Sequence, residues 1–487
     1  MKLYQLLLVA SSLCFYGSYP ESMQEKKEVL EREKNFADYY YKDLQSYPDY
    51  YDLECKQKIS FDALDLLTSW RLDIIARYIY AKQRELGVQS KWHRELYGAF
   101  LAVLTDSKEL WPAKNCFEDF LNSFHTLIDS IKKDGFNLNT SCIPINSKKL
   151  ILDGAHRVAA CLLLQKKVAC EVLWGIIAPC CSGEALRNCR WNIKEGLAEK
   201  YLDAMALEYN NLKKNTYCVN IFPAARSTDS ETEKILRAYG HIIYKKKVTL
   251  YNNGPTNFIN YIYAEQPDQP WTDENNNFYG ATDATKARFP DSAGTIRAYL
   301  FECDSLDKVL LCKKELQALF GIEAPAVHIT NTHQKTIELA QLLFNTNSIH
   351  FLNYSKHKNF EQFEQLLKKY KQWLDADMID RDCFCIDDSA VLAAYGIKDC
   401  THLNFIHHGY DTHVFSSESS DISDHNTAAC YHESTLDDII FNPKNHFYYK
   451  GVKCASLDTV KKMKMKREQD VDTKDIVLIE NHCANCS

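Results

Sequence analysis

The stretch Ile151–Arg157 reads ILDGAHR and combines the end of a short apolar run, an Asp-Gly turn and the start of a helix. β-type residues occupy Lys149–Leu152, and the apolar spacing from His156 to Leu164 predicts a helix directly after the turn. A strand that turns at once into a helix exposes the first N–H groups of the helix, and these attract an anion with the help of the helix dipole. The sequence therefore predicts a phosphate-binding strand–turn–helix at this place.

The side chains of this turn suit phosphate chemistry. Gly154 allows the backbone to approach an oxyanion, and the planar guanidinium of Arg157 matches the geometry of a phosphate group. Asp153 could hold a metal ion or accept a proton. We name Asp153, His156 and Arg157 as candidate catalytic residues, and Gly154, Ala155, His156 and Arg157 as candidate cofactor-binding residues. The alternative is a buried histidine and a salt-bridged arginine at an ordinary turn.

The segments around this turn carry a resemblance to a known family. Asp134-Gly135-Phe136 and Ile143-Pro144-Ile145 come before the turn, and a strand is predicted at Ala169–Leu173 after it. In this order, residues 125–175 resemble the ParB/sulfiredoxin (ParB N-terminal-like) superfamily, which includes partition-protein CTPases, sulfiredoxins and free-serine kinases. The resemblance implies an α+β domain that binds ATP or another NTP, with Mg²⁺ as a possible further cofactor. The residues that it implies for phosphate contact are Gly154, Ala155, His156 and Arg157.

Departures from the family pattern narrow what the resemblance implies. Ala155 stands where sulfiredoxins carry their reactive cysteine, so repair of a sulfinic acid is not expected. The chain has no upstream Pro-Thr-Glu segment like that of the serine kinases, and no recognisable helix-turn-helix like that of the partition proteins. Asp153 matches the acidic residue of the kinase-like members. The resemblance therefore implies nucleotide binding through the turn itself.

Composition sets the class of protein and its partners. The 487-residue chain contains 46% hydrophobic and 25% charged residues, which is ordinary for a globular protein of several domains. Its formal net charge of −7 argues against general DNA binding, because such binding needs a basic surface that replaces counterions. The expected partners are a nucleotide and an unknown small-molecule or protein acceptor. Many of the 19 cysteines lie in apolar runs, as Cys161 and Cys170 do, which indicates mostly reduced, buried thiols.

The amino-terminal residues leave the compartment open between cytoplasm and export. Met1-Lys2 precedes the apolar run Leu3–Phe15, which has the length and flank of a signal peptide over residues 1–20. Phe15 and Tyr16 occupy positions where a cleavage site needs small residues, so an amino-terminal helix of a cytoplasmic protein is the alternative. No other run is long and apolar enough to suggest a membrane span in the mature chain.

The spacing of apolar residues predicts a multidomain α+β and α/β fold. Helical spacing dominates residues 21–120, including a helix over Ser60–Leu86 with Ser60 as its N-cap, and the ParB/sulfiredoxin-like domain follows at residues 121–212. Strands and helices alternate over residues 217–355, for example a strand at His241–Leu250 and a helix at Lys308–Phe320, which indicates a middle α/β domain. Residues 356–487 are interpreted as a last α/β domain.

The last domain carries a second resemblance. Asp388-Ser389 opens a predicted helix, His402-Leu403-Asn404 begins the next predicted strand, and Gly451–Leu457 leads into a lysine-rich helix. This order resembles the nucleotidyltransferase fold, in which Gly-Ser lies under a triphosphate and an Asp-x-Asp pair holds Mg²⁺. Here Asp388 replaces the glycine, and His402 and Asn404 replace the aspartates. Because an imidazole and an amide supply no negative charge for Mg²⁺, the resemblance implies an inactive domain.

Two further groups of residues are candidates for a site. His328, Thr330 and His333 surround the turn after a predicted strand and could form a second anion site, although helix capping explains the threonine as well. A second histidine-rich group follows another predicted strand and could bind a transition metal, but its spacing matches no fixed ligand pattern. Its members are His402, His407, His408, Asp411 and His413.

These observations leave three functions open. The first is NTP-dependent phosphoryl transfer or hydrolysis at Asp153–Arg157. The second is a non-catalytic nucleotide sensor or scaffold that uses the same phosphate-binding turn. The third is a transferase that acts on a nucleotide-linked sugar or metabolite, with its chemistry in the middle domain.

Overall fold

A computed structural model of the chain describes most residues from Lys58 to Ala484. The described residues are 58–105, 113–136, 142–173, 178, 180–188, 196–225, 227–263, 281–321, 326–356, 358, 360–376, 379–410 and 421–484. The predicted signal segment and two of the metal candidates, Asp411 and His413, lie outside them.

The chain divides into two compact units. Unit 1 comprises Met1–Glu85 and His93–Met205, and unit 2 comprises Leu86–Trp92 and Ala206–Ser487. Within the described residues, helices combine with three small β-sheets, one in unit 1 and two in unit 2. This confirms the coarse prediction of a mixed, multidomain α+β chain. The finer division into four domains stays a prediction.

Unit 1 contains a three-stranded sheet formed by β1 (Lys58–Asp62), β2 (Ile143–Asn146) and β3 (Lys167–Leu173). The central strand β3 pairs antiparallel with β1 and parallel with β2. The helices of this part of the chain are α1 (Asp73–Glu85), α2 (Trp92–Thr105), α3 (Phe117–Asp134), α4 (Ala155–Leu163) and α5 (Gly183–Asn188). α4 lies on the crossover from β2 to β3 that a parallel pair requires.

Two local predictions for unit 1 are wrong. Ser60 is not a helix cap, because it lies in β1 and α1 begins only at Asp73. Pairing with β3 holds Ser60 in a strand, although the apolar residues that follow have helical spacing. Lys149–Leu152 is not a strand either, because a turn with φ +60° at Lys149 leaves Ile151 in an isolated bridge with Ile145.

The first sheet of unit 2 is antiparallel. Its strands are β4 (Thr216–Ile221), β5 (His241–Leu250), β6 (Gly294–Glu302) and β7 (Val327–Ile329), in the spatial order β5–β6–β4–β7. The helices of this part are α6 (Glu199–Leu212), α7 (Asp229–Tyr239), α8 (Gly254–Tyr263), α9 (Ala281–Arg288), α10 (Leu306–Phe320), α11 (His333–Leu343) and α12 (Thr346–Tyr354). The predicted strand at His241–Leu250 and helix at Lys308–Phe320 are confirmed.

The second sheet of unit 2 is mixed. Its strands are β8 (Phe384–Asp387), β9 (Leu403–His407), β10 (Ile422–Asp424), β11 (His446–Tyr449) and β12 (Val452–Ala455), in the order β10–β9–β8–β12–β11. The α-helices that the structure describes in this part of the chain are α13 (Glu361–Ala376), α14 (Ser389–Ala394), α15 (Leu436–Phe441), α16 (Leu457–Arg467) and α17 (Asp470–Ala484). The apolar side chains of β8, β9 and β12 form a buried core with α13, α14 and α16.

Two expectations from the sequence concern the described residues of both units. Fifteen cysteines in the described part of the chain are free and most are buried, which agrees with the predicted reduced thiols. None of the helices that the structure describes is both long enough and apolar enough to cross a bilayer.

Candidate functional site

The turn at Gly154 requires a glycine for two reasons. Gly154 is the N-cap residue of α4 and has φ +91°, the left-handed conformation that side chains disfavour. A Cβ atom at this position would lie 2.6 Å from Cδ1 of Ile143 and 2.9 Å from Nη2 of Arg157. Gly154 also offers no side-chain hydrogen bond to the first turn of α4. The turn thus begins a helix whose first amide groups lack the usual side-chain cap.

Arg157 folds back over this turn. Its Nη1 donates to the carbonyl oxygen of Cys142 at 3.0 Å, and its Nη2 donates to Oδ2 of Asp153 at 3.2 Å. The side chain of Arg157 is 17% exposed and that of Asp153 is 40% exposed. The structure therefore brings the candidates Asp153, Gly154 and Arg157 together. Arg157 is salt-bridged, as the alternative interpretation of an ordinary turn predicts. A partly exposed carboxylate remains at the surface of the turn.

His156 points away from Asp153 into the helices of unit 1. Its Nε2 lies 2.6 Å from the hydroxyl of Tyr97, and its ring meets Phe124 edge-on with 4.9 Å between centroids. Burial lowers the pKa of His156 well below its ordinary value, and the positive charges of Arg77, Lys114 and Arg157 lower it further. His156 is therefore neutral at pH 7 and is not poised as a general acid.

A buried charge cluster lies behind the turn. Two guanidinium groups share the carboxylate of Asp73: Arg71 Nε donates to Oδ1 at 2.8 Å, and Arg77 Nη1 donates to Oδ2 at 3.0 Å. Although burial opposes ionisation of Asp73, Arg71 and Arg77 hold the pKa of its carboxyl below the ordinary value. Arg71 also donates to the carbonyl oxygen of Ile151 at 2.5 Å, which ties α1 to the stretch that precedes the turn.

Arg77 completes this cluster on the side of His156. The residue is only 5% exposed, and within the described part of the chain its Nε has no hydrogen-bond partner. Its guanidinium lies 4.8 Å from the ring centroid of Phe100. Since its charge contributes to the lowered pKa of His156, Arg77 extends the positive region that begins at Arg157. A buried cationic nitrogen without a partner is costly unless an anion or water compensates it.

The residues of the candidate second anion site lie around the start of α11, and their role as an anion site stays a prediction. Thr330 is buried, and its hydroxyl accepts from the Cys218 amide at 2.9 Å and contacts the Thr336 hydroxyl at 2.7 Å. Thr332 caps α11, and His333 is the first residue of that helix. His328 instead meets the ring of Tyr263, and burial with the nearby Lys313 and Arg288 lowers the pKa of His328 to about 3. These contacts explain the group by packing and capping.

The start of α14 carries a strained aspartate. Asp388 follows β8 with φ +58° and ψ −135°, a conformation that favours glycine. Lys464 donates to its Oδ1, and Arg467 Nη1 donates to its Oδ2 at 3.0 Å. Asn404 donates to the same carboxylate at 3.4 Å, so Asn404 and Asp388 meet at the strand ends. The negative charge at this position is therefore neutralised from within the fold.

Lys464 is the centre of this charge network. Its ammonium group is fully buried and contacts Asp388, Asp472 at 3.3 Å and Asp475 at 3.0 Å. Arg467 binds Asp472 at 2.7 Å. Such a network stabilises a fold only while all its members are present.

The described members of the histidine-rich group, His402, His407 and His408, each contact a different residue. His402 contacts the Thr401 hydroxyl at 2.9 Å, His407 contacts Asp424 at 3.3 Å, and His408 contacts Asp437 at 2.7 Å. Among the residues that the structure describes, no three His, Cys, Asp or Glu side chains are grouped to hold a metal ion. Asp411 and His413 are outside that part of the chain.

The chain was compared with known proteins. No protein-family model, no curated protein and no solved structure matches it.

Sequence reasoning missed three groups of polar residues that the fold assembles. They are Arg71, Asp73 and Arg77 on the entry to α1, Tyr97 beside His156, and Asp387 with His425 and His432. Only the first had a local signal, because three charged residues interrupt an apolar run between Trp70 and Tyr78. The other two join residues that are far apart in the chain.

Proposed function

We propose that unit 1 binds a nucleotide and holds its phosphate groups at the turn Asp153–Arg157. The observation that carries this proposal is the left-handed Gly154, which begins α4 without a side-chain cap and lies under the guanidinium of Arg157. Free amide groups at a helix start and a guanidinium beside them are the usual partners of phosphate. ATP or another NTP is the expected ligand.

The charges around His156 support this proposal. Arg77, Lys114 and Arg157 all act on this neutral imidazole, so the interior side of the turn is positive. Arg77 is buried and pairs with Asp73 through Nη1, but its Nε has no partner among the described residues, so an acceptor oxygen of a ligand would satisfy this N–H group. This second observation is independent of the helix start.

The connection between the strands favours the ParB/sulfiredoxin-like assignment as part of the proposal. β2 leads through the turn into α4, and β3 returns parallel to β2. This is the order of elements that the resemblance implies, with Gly154 at the turn. Residues 125–175 are therefore proposed to be ParB/sulfiredoxin-like.

Binding is better supported than catalysis. His156 is hydrogen-bonded to Tyr97 and kept neutral, so it is a poor proton donor or acceptor for a transferred group. Asp153 is the exposed carboxylate of the turn and the residue that would hold Mg²⁺ or accept a proton. Phosphoryl transfer or hydrolysis would thus depend on Asp153, whereas a nucleotide sensor would not need it.

We infer that the last domain is nucleotidyltransferase-like and non-catalytic. Asn404 binds the carboxylate of Asp388, and Lys464 and Arg467 neutralise that carboxylate. These contacts engage both carboxylate oxygens of Asp388, which disfavours a divalent cation on this residue. The domain would then serve as a scaffold.

The test is a thermal-unfolding series on the full chain with ATP, CTP, GTP and UTP, each with and without Mg²⁺. At least one nucleotide is expected to raise the unfolding temperature, because a ligand that binds only the folded state stabilises it. Arg157→Ala should weaken binding by roughly tenfold or more, the size of a charge-assisted hydrogen bond. Arg237→Ala is the matched control, since Arg237 forms the same type of helical ion pair with Glu233 at 3.0 Å. The proposal fails if no nucleotide stabilises the wild-type chain or if both variants bind equally well.

A further inference from the structure

We propose that unit 2 contains a separate site for a phosphate group on the guanidinium of Arg288, where α8 and α9 end beside β4. All residues of this site belong to unit 2, so the inference does not rest on nucleotide binding at the turn Asp153–Arg157. It concerns the middle segment of the chain, for which the sequence left a transferase of a nucleotide-linked sugar or metabolite open.

The position of Arg288 is fixed by its neighbours. Its Cζ lies 5.0 Å from the ring centroid of Tyr263 and 5.7 Å from that of Phe222. Nη2 donates to the hydroxyl of Tyr263 at 2.8 Å, and Nη1 donates to the carbonyl oxygen of Ala284 at 2.9 Å. The carbonyl oxygen of Arg288 accepts from the Ala224 amide at 3.1 Å, which ties the end of α9 to the segment after β4.

The guanidinium of Arg288 has no carboxylate partner among the described residues. A guanidinium has five N–H donors. The contacts with Tyr263 and Ala284 use two of those of Arg288. Its Nε–H group is buried and has no acceptor within the described part of the chain. Because a buried donor without a partner is costly, an oxyanion in contact with Arg288 would stabilise the folded chain.

The charge of Arg288 is not balanced by its surroundings. The ring of Tyr263 meets that of His328 with 5.9 Å between centroids. Burial lowers the pKa of His328, and the charges of Lys313 and Arg288 lower it further, with no described carboxylate opposing them. Burial also lowers the pKa of Lys313, which no described carboxylate raises. Within the described residues, Arg288 and Lys313 are therefore two neighbouring cations without an acidic partner.

A buried amide lies on the same face of the sheet as His328. Asn220 of β4 is directly opposite His328 of β7, and opposed residues of an antiparallel pair project to one face. Asn220 is fully buried, and among the described residues its side-chain amide contacts only the sulfur of Cys218, at 3.7 and 3.8 Å. Sulfur is a weak hydrogen-bond partner, so this amide can still bind a polar ligand.

The charge of the region selects the ligand. A phosphate group carries nearly two negative charges at pH 7 and balances both Arg288 and Lys313. A carboxylate would leave one of these two cations unpaired. The planar fork of arginine also binds two oxygens of one phosphate group, and Arg288 has donors left for such a contact. The ligand is therefore a phosphate group, either free or carried by a small molecule.

The test is a calorimetric titration of the full chain with inorganic phosphate. Every protein carries Arg157→Ala, so that the turn of unit 1 contributes little to binding. Arg288→Gln should weaken phosphate binding by roughly tenfold, the value of one charge-assisted hydrogen bond. Arg297→Gln is the matched control, because Arg297 is a partly buried arginine of the same unit that pairs with Asp229 at 3.3 Å. Equal affinities of these two variants, or no phosphate binding in the parent, overturn the proposal.

Further titrations guard against misfolding and identify the ligand. Arg288→Lys keeps the charge but loses the planar fork, so it decides the question if circular dichroism shows that Arg288→Gln is unfolded. It should bind phosphate more weakly than the parent, and an unchanged affinity would contradict the proposal. Acetate should bind more weakly than phosphate, and equal binding would rule out the choice of a dianion. Glycerol phosphate separates the two sources, since tighter binding than inorganic phosphate assigns the site to a phosphate ester and weaker binding assigns it to the free ion.

Discussion

Nδ1 of His425 lies 3.0 Å from Oδ2 of Asp387, and both residues belong to the second sheet region of unit 2. Nε2 of His432 reaches the same oxygen at 3.1 Å, and Asp387 is fully buried at the end of β8. Burial alone would raise the pKa of this carboxyl, but the hydrogen bonds from His425 and His432 lower it far below its ordinary value. Asp387 is therefore a buried anion whose stability depends on its two imidazole partners.

Asp387 should make unit 2 sensitive to acid. The pKa of Asp387 is lower in the folded chain than the value of about 3.9 in an unfolded one. Its contribution to stability is therefore present above that pH and is lost progressively as the pH falls from there towards the pKa of the folded state. Asp387→Asn should lower the free energy of unfolding by about 3 kcal/mol at pH 7 and flatten the acid dependence. Denaturant unfolding from about pH 6 to about pH 3 measures both effects. The exposed Asp458→Asn is the control, and an unchanged pH profile in Asp387→Asn would contradict the assignment.

Lys464 should contribute more to stability than its neighbours on α16. Lys464→Met removes a buried ammonium that contacts Asp388, Asp472 and Asp475, and the uncompensated carboxylates should lower the free energy of unfolding by about 3–5 kcal/mol. Lys462→Met is the matched control on the same helix, because Lys462 is 46% exposed and pairs with Asp458 at the surface. Urea unfolding of both variants measures the two changes in free energy of unfolding. Equal effects of the two substitutions would show that the buried network is not stabilising.

Gly154 should tolerate no side chain. Gly154→Ala combines an unfavourable φ of +91° with a contact of 2.6 Å to Ile143. The substitution should therefore lower the free energy of unfolding by more than an unfavourable backbone dihedral angle alone would. Gly135→Ala in the same unit is the control, since Gly135 has φ +74° and no heavy atom of the described residues lies within 4 Å of the added Cβ. We expect about 1 kcal/mol for the control and about 2–4 kcal/mol for Gly154→Ala, measured by chemical unfolding. A smaller effect at Gly154 would mean that the turn can relax.

Asp153 distinguishes turnover from binding. Asp153→Asn removes the carboxylate that pairs with Arg157 at 3.2 Å but keeps a similar shape. Nucleotide-induced thermal stabilisation should persist, because the amide groups of α4 and the guanidinium remain. Any hydrolysis of ATP or CTP should fall by roughly a hundredfold, as expected for the loss of a residue that assists proton transfer. If turnover survives the substitution, Asp153 has no part in the proposed chemistry. If binding is lost instead, Asp153 is part of the phosphate-binding turn.

Much of the fold and part of the site could be predicted because their causes are local. Gly154 breaks an apolar run before a helix, and Thr332 stands where α11 needs an N-cap, so both turns follow from residue type. Ser60 shows the limit of this reasoning. Its helical spacing pattern is overridden by the pairing of β1 with β3, which lies more than a hundred residues further along the chain.

The sequence by itself determined the alternation of helices and strands, the glycine turn at the start of α4 and the placement of Arg157 beside it. Only the tertiary structure decided that His156 faces Tyr97, 59 residues away, that Arg77 and Arg71 share Asp73, and that Asp387 has two histidine partners. The physical reason is the distance along the chain over which each effect acts. Backbone preferences and side-chain periodicity act over a few residues, whereas the partners of a buried charge are chosen by how distant segments pack, and no local pattern records that choice.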